Sequence, residues 1–303
     1  MTNAVAASKT KKNEMFDDIS GARKAKDKIA SGIIYLSIII ALAPLIWVLA
    51  TVLIKGLPVL LSADWWMFDM TGQPNNTAGG GIVHAIIGTL AQVIITSLIS
   101  VPIGVFTAVY LVEYANGNFL GRITTFMVDI LSGVPSIVAA LFVYAMWVTT
   151  LGFDRSGFAV ALALVLLMVP IIVRNTEEML RIVPMDLREA SFALGVPKWK
   201  TILKIVLPTA LSGIVTGIML AVARVMGESA PVLILVGSTP AINWNVFEGN
   251  QNSLPLFMLQ MYRAGNNPAV LERIWGAALT LVILVAALMI GARLVSKRFS
   301  VKV

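Results

Sequence analysis

Six stretches of the chain are apolar over about 20 residues or more, the length that a helix needs to cross the hydrocarbon core of a bilayer. They cover residues 29–53, 82–110, 126–149, 158–180, 205–236 and 274–294. Only helices and closed barrels can satisfy every backbone hydrogen bond in lipid, so each stretch is predicted to be a helix. The sequence therefore predicts an all-α membrane protein with six transmembrane helices.

The composition agrees with a membrane protein and argues against a nucleic-acid-binding one. Hydrophobic residues make up 58% of the chain, charged residues make up 13%, and the mean hydropathy is +0.87, far outside the range of soluble domains. The net charge of +7 comes from basic residues that lie between the apolar stretches, which favours membrane topology over nucleic acid as its explanation. Because the chain has no cysteine, disulfides and thiolate metal sites are excluded.

The distribution of lysine and arginine predicts the orientation, because basic residues are enriched in cytoplasmic segments. If the N-terminus is cytoplasmic, four basic residues fall on the outer side: Lys55, Arg155, Arg263 and Arg273. Arg224 lies within an apolar stretch, and all the other basic residues fall on the inner side. Both termini are therefore predicted to be cytoplasmic. The predicted organisation is a cytoplasmic tail at residues 1–28, a transmembrane domain at residues 29–298 and a cytoplasmic tail at residues 299–303.

The fifth apolar stretch contains two charged residues, Arg224 and Glu228. On a helix with 100° per residue, they share an arc of roughly 80° with the small residues Gly213, Gly217 and Ala221. Charges in a membrane have to face protein or water, because exposing them to lipid costs several kcal/mol, and small residues allow close helix packing. The stripe is predicted to face the interior of a helix bundle or a pathway.

Arg224 and Glu228 are four residues apart and can therefore pair on a helix. Two interpretations remain open at this point: a salt bridge that fixes helix packing, and a site for an ionic substrate. As a site, the pair favours an anion over a cation, because arginine offers a planar fork of donors to oxyanions. Glu228 would lower the affinity of Arg224 for the anion. A conduction pathway needs such weak binding, because the anion has to be released.

Other polar and helix-breaking residues are given simpler roles. Prolines inside the apolar stretches are interpreted as ordinary bends of membrane helices, with moving hinges as the alternative: Pro102, Pro135, Pro170 and Pro231. His84 is predicted to be an interfacial side chain, and the outer segment 254–262 to be a short packing helix. Asp129 is predicted to cap or pair, and local pairing is predicted among Arg174, Glu177, Glu178 and Arg181. No residue pattern predicts a metal site or a catalytic triad.

A charged segment at residues 186–204 separates the fourth and fifth apolar stretches. Gly195 and Pro197 interrupt it, which predicts a polar helix that ends and restarts. In the predicted topology it lies in the cytoplasm, where a partner can reach it. The chain has no G-x-x-x-x-G-K-[ST] phosphate loop, so any dependence on ATP has to come from such a partner.

This segment and the residues after it resemble the EAA loop of ABC importer permeases. The family pattern is E-A-A, three residues, G, nine residues and I-x-L-P. The same spacing occurs here as Glu189-Ala190-Ser191, Gly195 and Ile205-Val206-Leu207-Pro208. Ser191 replaces the second alanine, a small change that preserves close packing. We call residues 186–204 the coupling loop.

Further stretches resemble the permeases of the phosphate-specific (Pst) ABC importer, in particular its PstA-type subunit. They lie between Gly79 and Arg293 and are Pro102-Ile103-Gly104, Tyr110-Leu111-Val112-Glu113-Tyr114, Gly133-Val134-Pro135-Ser136-Ile137-Val138, Thr176-Glu177-Glu178, Val183-Pro184 and Arg224-Val225-Met226-Gly227-Glu228-Ser229-Ala230-Pro231. The PstC-type sister subunit shares many of them. The PstA type is favoured by the short N-terminal tail, the six-span layout and Leu254-Pro255-Leu256.

The resemblance implies a type I ABC importer permease fold and import of inorganic phosphate by alternating access across a bacterial cytoplasmic membrane. The implied partners are a PstC-type second permease, a PstB-type cytoplasmic ATPase dimer that holds ATP and Mg²⁺, and a PstS-type external phosphate-binding protein. This chain would then be a transport subunit and not an enzyme, with no cofactor of its own.

The resemblance also implies residue roles. Arg224 and Glu228 would belong to the substrate pathway, and coupling to the ATPase would rest on Glu189, Ala190, Ser191, Gly195, Ile205, Leu207 and Pro208. Four other readings stay open: the PstC-type sister, a permease for another oxyanion such as sulfate or molybdate, a secondary ion-coupled carrier, and a membrane scaffold.

Overall fold

The computed structural model describes residues 21–75, 77–115 and 117–299, with side chains through residue 294. These residues form helices and connecting loops, and no strand occurs among them. The prediction of an all-α protein is confirmed. Most of the predicted N-terminal tail, residues 1–20, and residues 300–303 of the C-terminal tail lie outside the described residues.

The helices are numbered in chain order. They are α1 (Gly21–Leu60), α2 (Ala63–Met67), α3 (Val83–Val109), α4 (Phe119–Ser132), α5 (Ser136–Val143), α6 (Gly157–Ile182), α7 (Met185–Ala193), α8 (Lys198–Thr201), α9 (Leu207–Met226), α10 (Ala230–Leu235), α11 (Leu254–Arg263) and α12 (Pro268–Phe299). Wider π-helical turns extend α3 (Tyr110–Tyr114) and α5 (Tyr144–Thr150) and join α8 to α9 (Ile202–Val206).

Five continuous helical segments are long and apolar enough to cross a membrane: Gly21–Leu60, Val83–Tyr114, Gly157–Ile182, Lys198–Met226 and Pro268–Leu294. A sixth crossing is formed only if α4 and α5, which meet at an angle of 107°, count as one broken span. The predicted third span is therefore not a continuous helix. Pro135 explains the break, because it has no N–H to donate and disfavours helical geometry at the preceding residue.

The fifth span also differs from its prediction. Its helical part begins at Lys198, earlier than the predicted start, and α9 ends at Met226 instead of continuing to residue 236. The N–H of Gly227 closes the helix on the carbonyl oxygens of Arg224 and Val225, and α10 restarts with Pro231 in its first turn. Glu228 consequently lies in a non-helical connection between two helices.

The chain divides into two compact units, Met1–Thr51 and Val52–Val303. The first contributes the N-terminal part of α1, which is already helical at Gly21. The second contains all the other helices and three clusters of buried apolar residues. The functional features described below belong to this second unit.

Helix α6 lies at the centre of the second unit, where Leu164, Met168 and Ile172 are buried. Two neighbouring helices approach it through glycines. A Cβ atom on Gly104 of α3 would lie 2.6 Å from Cγ2 of Ile172, and one on Gly217 of α9 would lie 2.6 Å from Cβ of Asn175. Contacts this close exclude larger residues and pack the three helices tightly, as small residues do in membranes.

Short segments on the outer side are packed onto the helix bundle. Helix α11 buries Leu254 and Phe257, and the N–H of Leu254 donates to Oγ1 of Thr89 over 2.9 Å. The guanidinium of Arg273 donates to carbonyl oxygens of the loop after α2, including those of Thr77 and Gly79 at 2.8 Å. The packing helix predicted at residues 254–262 is thus present as α11.

Candidate substrate cavity and coupling loop

The coupling loop folds as α7, a tight turn and α8. The turn is a Schellman motif, in which the N–H of Gly195 bonds to the carbonyl of Phe192 and that of Val196 to the carbonyl of Ser191. Gly195 has a φ of +73°, which side chains with a Cβ adopt only with strain. The glycine of the EAA-like pattern is therefore required by the backbone of this turn.

The two arms of the coupling loop are joined by a buried pair of hydroxyl groups. Oγ of Ser191 lies 2.8 Å from Oγ1 of Thr201, and both side chains are buried. Ser191 thus faces inward, whereas Glu189 and Ala190 are exposed. The serine that replaces alanine at position 191 therefore adds a hydrogen bond between the two arms inside the loop and leaves the exposed surface of the loop unchanged.

The exposed side of the coupling loop carries large apolar side chains. Phe192, Leu194 and Trp199 are 46%, 83% and 55% exposed. Further along, Val206 is buried, while Ile205, Leu207 and Pro208 are half-buried where the π-helical turn leads into α9. Exposed apolar groups on a polar loop mark a surface suited to a protein partner.

The inward side of the loop carries a buried ion pair that the sequence did not reveal. Arg188 of α7 bonds to Oε1 of Glu113, at the inner end of the span formed by α3, through Nη2 at 3.0 Å and Nε at 3.2 Å. Their side chains are 8% and 7% exposed. The sequence showed both residues, but they are 75 positions apart, and only the fold brings them together.

A second polar feature is a cavity of about 220 Å³ next to the break between α4 and α5. It is lined by Leu131, Ser132, Val134, Leu167, Pro170, Ile171, Arg174, Asn175 and Arg224. We call it the arginine cavity, because two guanidinium groups from different helices, α6 and α9, border it. Arg174 was expected only to pair locally, so its position beside Arg224 was missed by sequence reasoning.

The two arginines of the cavity differ in their partners. Arg174 donates to Asp129 of α4 and, from Nη1 at 2.9 Å, to Oε2 of Glu177. Glu177 also accepts from Arg181 at 2.7 Å. The predicted pairing of Asp129 and the local pairing of Arg174 and Arg181 with Glu177 are present, whereas Glu178 forms no ion pair among the described residues.

Arg224 has no comparable partner. It is exposed in the last turn of α9, and within the described part of the chain no hydrogen bond or ion pair reaches its guanidinium. The predicted helical pairing of Arg224 with Glu228 is not observed between these two described residues, since α9 ends before Glu228. Among the described residues, Arg224 therefore lies in the last turn of the span without a counter-ion.

Helix α9 presents two different faces. Gly213 and Gly217 approach Met179 and Asn175 of α6, as predicted for the small residues of the stripe. The residues exposed along the helix are Ser212, Thr216, Leu220 and Arg224. Arg224 is therefore among the exposed residues of α9, together with the hydroxyl residues Ser212 and Thr216.

His84 departs from its prediction. Its side chain is buried rather than interfacial, at 2% exposure, and its ring lies edge-on to Phe257 with centroids 5.5 Å apart. Neither ring nitrogen has a hydrogen-bond partner in the described part of the chain. No geometry connects His84 to the arginine cavity or the coupling loop.

Comparison with known proteins places this geometry in a family. Residues 100–301 match the family described as the inner membrane component of binding-protein-dependent transport systems. The phosphate transport system permease protein PstA of Mycobacterium leprae (strain TN) is 52% identical over 272 residues, which cover 89% of this chain and 88% of that protein. PstA of Haemophilus influenzae is 41% identical over 272 residues, 90% of this chain and 94% of that protein.

The chain belongs to the PstA family of phosphate transport permeases. The family predicted from the sequence is confirmed, and the PstC-type alternative is set aside. This PstA-family chain is thus a multi-pass protein of the bacterial inner membrane.

Solved structures of ABC importers share the fold of this PstA-family chain. An inward-facing MetNI methionine ABC transporter matches with a TM-score of 0.61 and 21% identity over 73% of this chain and 96% of that chain. A bacterial alginate ABC transporter matches with a TM-score of 0.62 and 14% identity over 90% of this chain and 96% of that chain. The predicted type I importer permease fold is confirmed by these likenesses.

Proposed function

We propose that this chain is the transmembrane subunit of an ATP-driven importer of inorganic phosphate, and that phosphate passes through the arginine cavity. The observation that carries the proposal is the exposed guanidinium of Arg224, which borders this cavity without a counter-ion from the described residues. An uncompensated charge inside a membrane protein is costly and is retained for a function. A passing anion would supply the missing partner.

The chemistry of the cavity suits phosphate. Arg224 offers a planar fork of donors that matches two phosphate oxygens. Asn175 lines the same cavity; its amide donates one hydrogen to the carbonyl of Ile171 over 2.8 Å and can donate the other to an anion. Arg174 adds positive charge that Asp129 and Glu177 partly neutralise. The site is therefore cationic overall yet balanced by nearby carboxylates. That balance favours entry without the tight retention that would stop transport.

Glu228 is proposed to weaken the binding of phosphate to Arg224 in the same path. It is half-buried in the connection between α9 and α10, four residues beyond Arg224. Because it lies outside the helix, Glu228 can change its distance from Arg224 by a local rearrangement of the connection. A carboxylate that approaches Arg224 after phosphate has been delivered would help to displace it.

The pathway is proposed to lie between two permease subunits. Three of the four residues exposed along α9, Ser212, Thr216 and Arg224, are polar, and polar groups cannot face lipid without cost. A PstC-type second permease would cover these residues and provide the opposite wall. A PstS-type binding protein on the outer side would deliver phosphate to the pathway.

Energy is proposed to enter at the coupling loop from a PstB-type ATPase dimer, which holds ATP and Mg²⁺. Glu189, Ala190 and Gly195 lie on the exposed side of the loop, beside the apolar groups Phe192 and Leu194. One helical segment, Lys198–Met226, runs from the loop to Arg224. Closure of the ATPase would move this segment and switch the arginine cavity between outward and inward access.

The complete four-component complex in proteoliposomes tests this function. We expect uptake of radiolabelled phosphate that requires ATP inside and the binding protein outside, and that persists when a protonophore collapses the ion gradient. Uptake that survives without ATP but stops with the protonophore would identify a secondary carrier. Competition by unlabelled sulfate or molybdate as strong as that by phosphate would identify another oxyanion as the substrate.

A further inference from the structure

We infer that Glu113, Arg188 and Lys198 form a clamp that makes the coupling loop move as one body with the inner ends of α3 and α6. The inference rests on the proposed function, because it assumes that an ATPase moves the loop. It adds a route by which force is transmitted. The force would reach α3 through side chains, in addition to reaching α6 and α9 along the backbone, and the bonds of Arg188 would hold the loop rigidly against the end of α6.

The first contact of the clamp joins the loop to α3. Two nitrogens of Arg188 bond to the same oxygen of Glu113, at 3.0 and 3.2 Å. Both side chains are more than nine-tenths buried. A buried, doubly hydrogen-bonded guanidinium has a fixed direction, unlike a surface ion pair, which exchanges with water.

The same guanidinium joins the loop to α6. Nη2 of Arg188 donates to the carbonyl of Leu180 at 2.9 Å, and Nη1 donates to the carbonyl of Val183 at 2.7 Å. These carbonyls belong to the C-terminal end of α6, where helical carbonyls lack partners within the helix. Arg188 therefore connects three elements through one rigid planar group.

The second arm of the loop is tied to the same place. Nζ of Lys198, the first residue of α8, donates to the backbone carbonyl of Glu113. The ammonium also lies 4.9 Å from the ring centroid of Tyr114. Since Ser191 and Thr201 bond the two arms to each other, neither arm can shift alone without breaking a buried polar contact.

A purely structural role does not account for this arrangement. A buried ion pair is a weak source of stability compared with apolar residues of the same volume, but it fixes relative position. The π-helical turn at Tyr110–Tyr114 presents both the carboxylate and the carbonyl of Glu113 to the loop. Such wide turns are frequent at functional sites.

The consequence for transport concerns the arginine cavity. Helix α6 contributes Arg174 and Asn175 to that cavity, whereas α9 contributes Arg224. The loop is joined to both helices along the backbone, to α6 through Val183 and Pro184 and to α9 through the π-helical turn. With the clamp intact, a displacement of the loop also moves the inner end of α3 and keeps the loop in a fixed direction relative to the end of α6. Without it, the loop could turn relative to both α3 and α6.

Spin-label distances in the complete complex test the clamp directly. The chain contains no cysteine, so Phe119→Cys and Leu203→Cys provide unique labels at exposed positions, 74% and 55% accessible, after α3 and on the coupling loop. Between the nucleotide-free and vanadate-trapped states, we expect the distance between them to stay within about 2 Å, the scale of small helix shifts. A larger change in the otherwise unmodified protein would overturn the inference.

Functional variants provide the second arm of the test. Arg188→Met removes the link while keeping an unbranched side chain, and Arg122→Met makes the same change at an exposed position in the first turn of α4, outside the coupling loop, as a control. For Arg188→Met we expect the ATPase to co-purify, the label distance to shift on trapping, and uptake per ATP to fall at least fivefold, the low end of coupling between sites. Arg122→Met should keep wild-type values.

A double variant covers the case in which Arg188→Met does not assemble. Glu113→Leu with Arg188→Met leaves no buried unpaired charge, and we expect it to assemble yet to remain uncoupled. Wild-type uptake and unchanged distances in this variant would refute the clamp. If the ATPase fails to bind the unmodified chain at all, the proposed docking function fails instead of the clamp.

Discussion

The arginine of the coupling loop and the arginine of the cavity on α9 differ in burial and in their partners. In the loop, the guanidinium of Arg188 is buried and fully engaged with Glu113 and two helix-end carbonyls. In the cavity, the guanidinium of Arg224 is exposed and has no partner among the described residues. A buried charge with all its partners holds elements in register, whereas a charge without a partner is available to a ligand. The same residue type is thus proposed to serve transmission in one place and anion binding in the other.

Replacing Arg224 should produce the largest effect. In Arg224→Gln the anion loses its charged donor, and we expect phosphate uptake to fall by about 100-fold or more, as when one partner of a close charge pair is removed. Co-purification with the partner subunits should be normal, because no described contact of Arg224 is lost. Arg224→Lys, which keeps the charge without the fork, should retain partial uptake; wild-type uptake by Arg224→Gln would remove Arg224 from the path.

A bulky residue at Gly195 should act on the loop alone. Gly195→Val forces a branched side chain into a left-handed conformation, which costs about 1–2 kcal/mol, and opens the Schellman turn. We expect recovery of the ATPase in a pull-down through this chain to fall about tenfold. Gly152→Val is the matched control, because Gly152 has a similar φ of +74° and open space but lies far along the chain, in the loop before α6. Equal losses from both would point to general misfolding.

Asp129 offers a graded test of the cavity. In Asp129→Asn, Arg174 keeps only Glu177 as a partner, so the cavity becomes more positive. Because a half-exposed ion pair contributes about 0.2–1 kcal/mol, we expect phosphate bound at equilibrium to the purified complex to rise about two- to fivefold, with slower release during uptake. Asp129→Glu should behave like the unmodified chain. A decrease in bound phosphate would mean that Asp129 supports the site instead of competing with the anion.

Ser191→Ala should have the smallest effect. The change restores the family's alanine but removes the hydrogen bond to Thr201, a loss of about 1 kcal/mol for a buried neutral pair. We expect the melting temperature of the purified complex to fall by about 2 °C with uptake almost unchanged. A loss of uptake as severe as that of Gly195→Val would show that the hydroxyl pair itself transmits movement.

Much of the fold was readable from the sequence, because membrane crossing leaves a long apolar signal. The positions of the spans, the all-helical class and the family follow from that signal and from the spacing of Glu189, Gly195 and Pro208. Two spans were predicted as continuous and are not. Hydrophobicity alone does not show which prolines and glycines break a helix. The two breaks occur at Pro135 and Gly227, whereas Pro102 and Pro170 lie inside continuous helices.

The candidate site was only half predictable. Arg224 was singled out because a charge in an apolar stretch is rare, and that local signal required no fold. Its pairing with Glu228 was inferred from helical periodicity, which ceased to apply once α9 ended at Met226. Arg174, Asp129 and Glu113 gave weaker signals, because each looks like an ordinary residue at the end of an apolar stretch.

By itself, the sequence determined that this chain crosses a membrane, that it carries a partner-accessible loop with a glycine turn, and that one arginine lies within a span. These properties are local, set by hydrophobicity, backbone conformation and charge along a short stretch. The tertiary structure alone decided which charges meet: Arg188 with Glu113, and Arg174 beside Arg224 but bonded to Asp129. The physical reason is that electrostatic partners are chosen by distance in space, and helix packing brings together residues that are far apart along the chain.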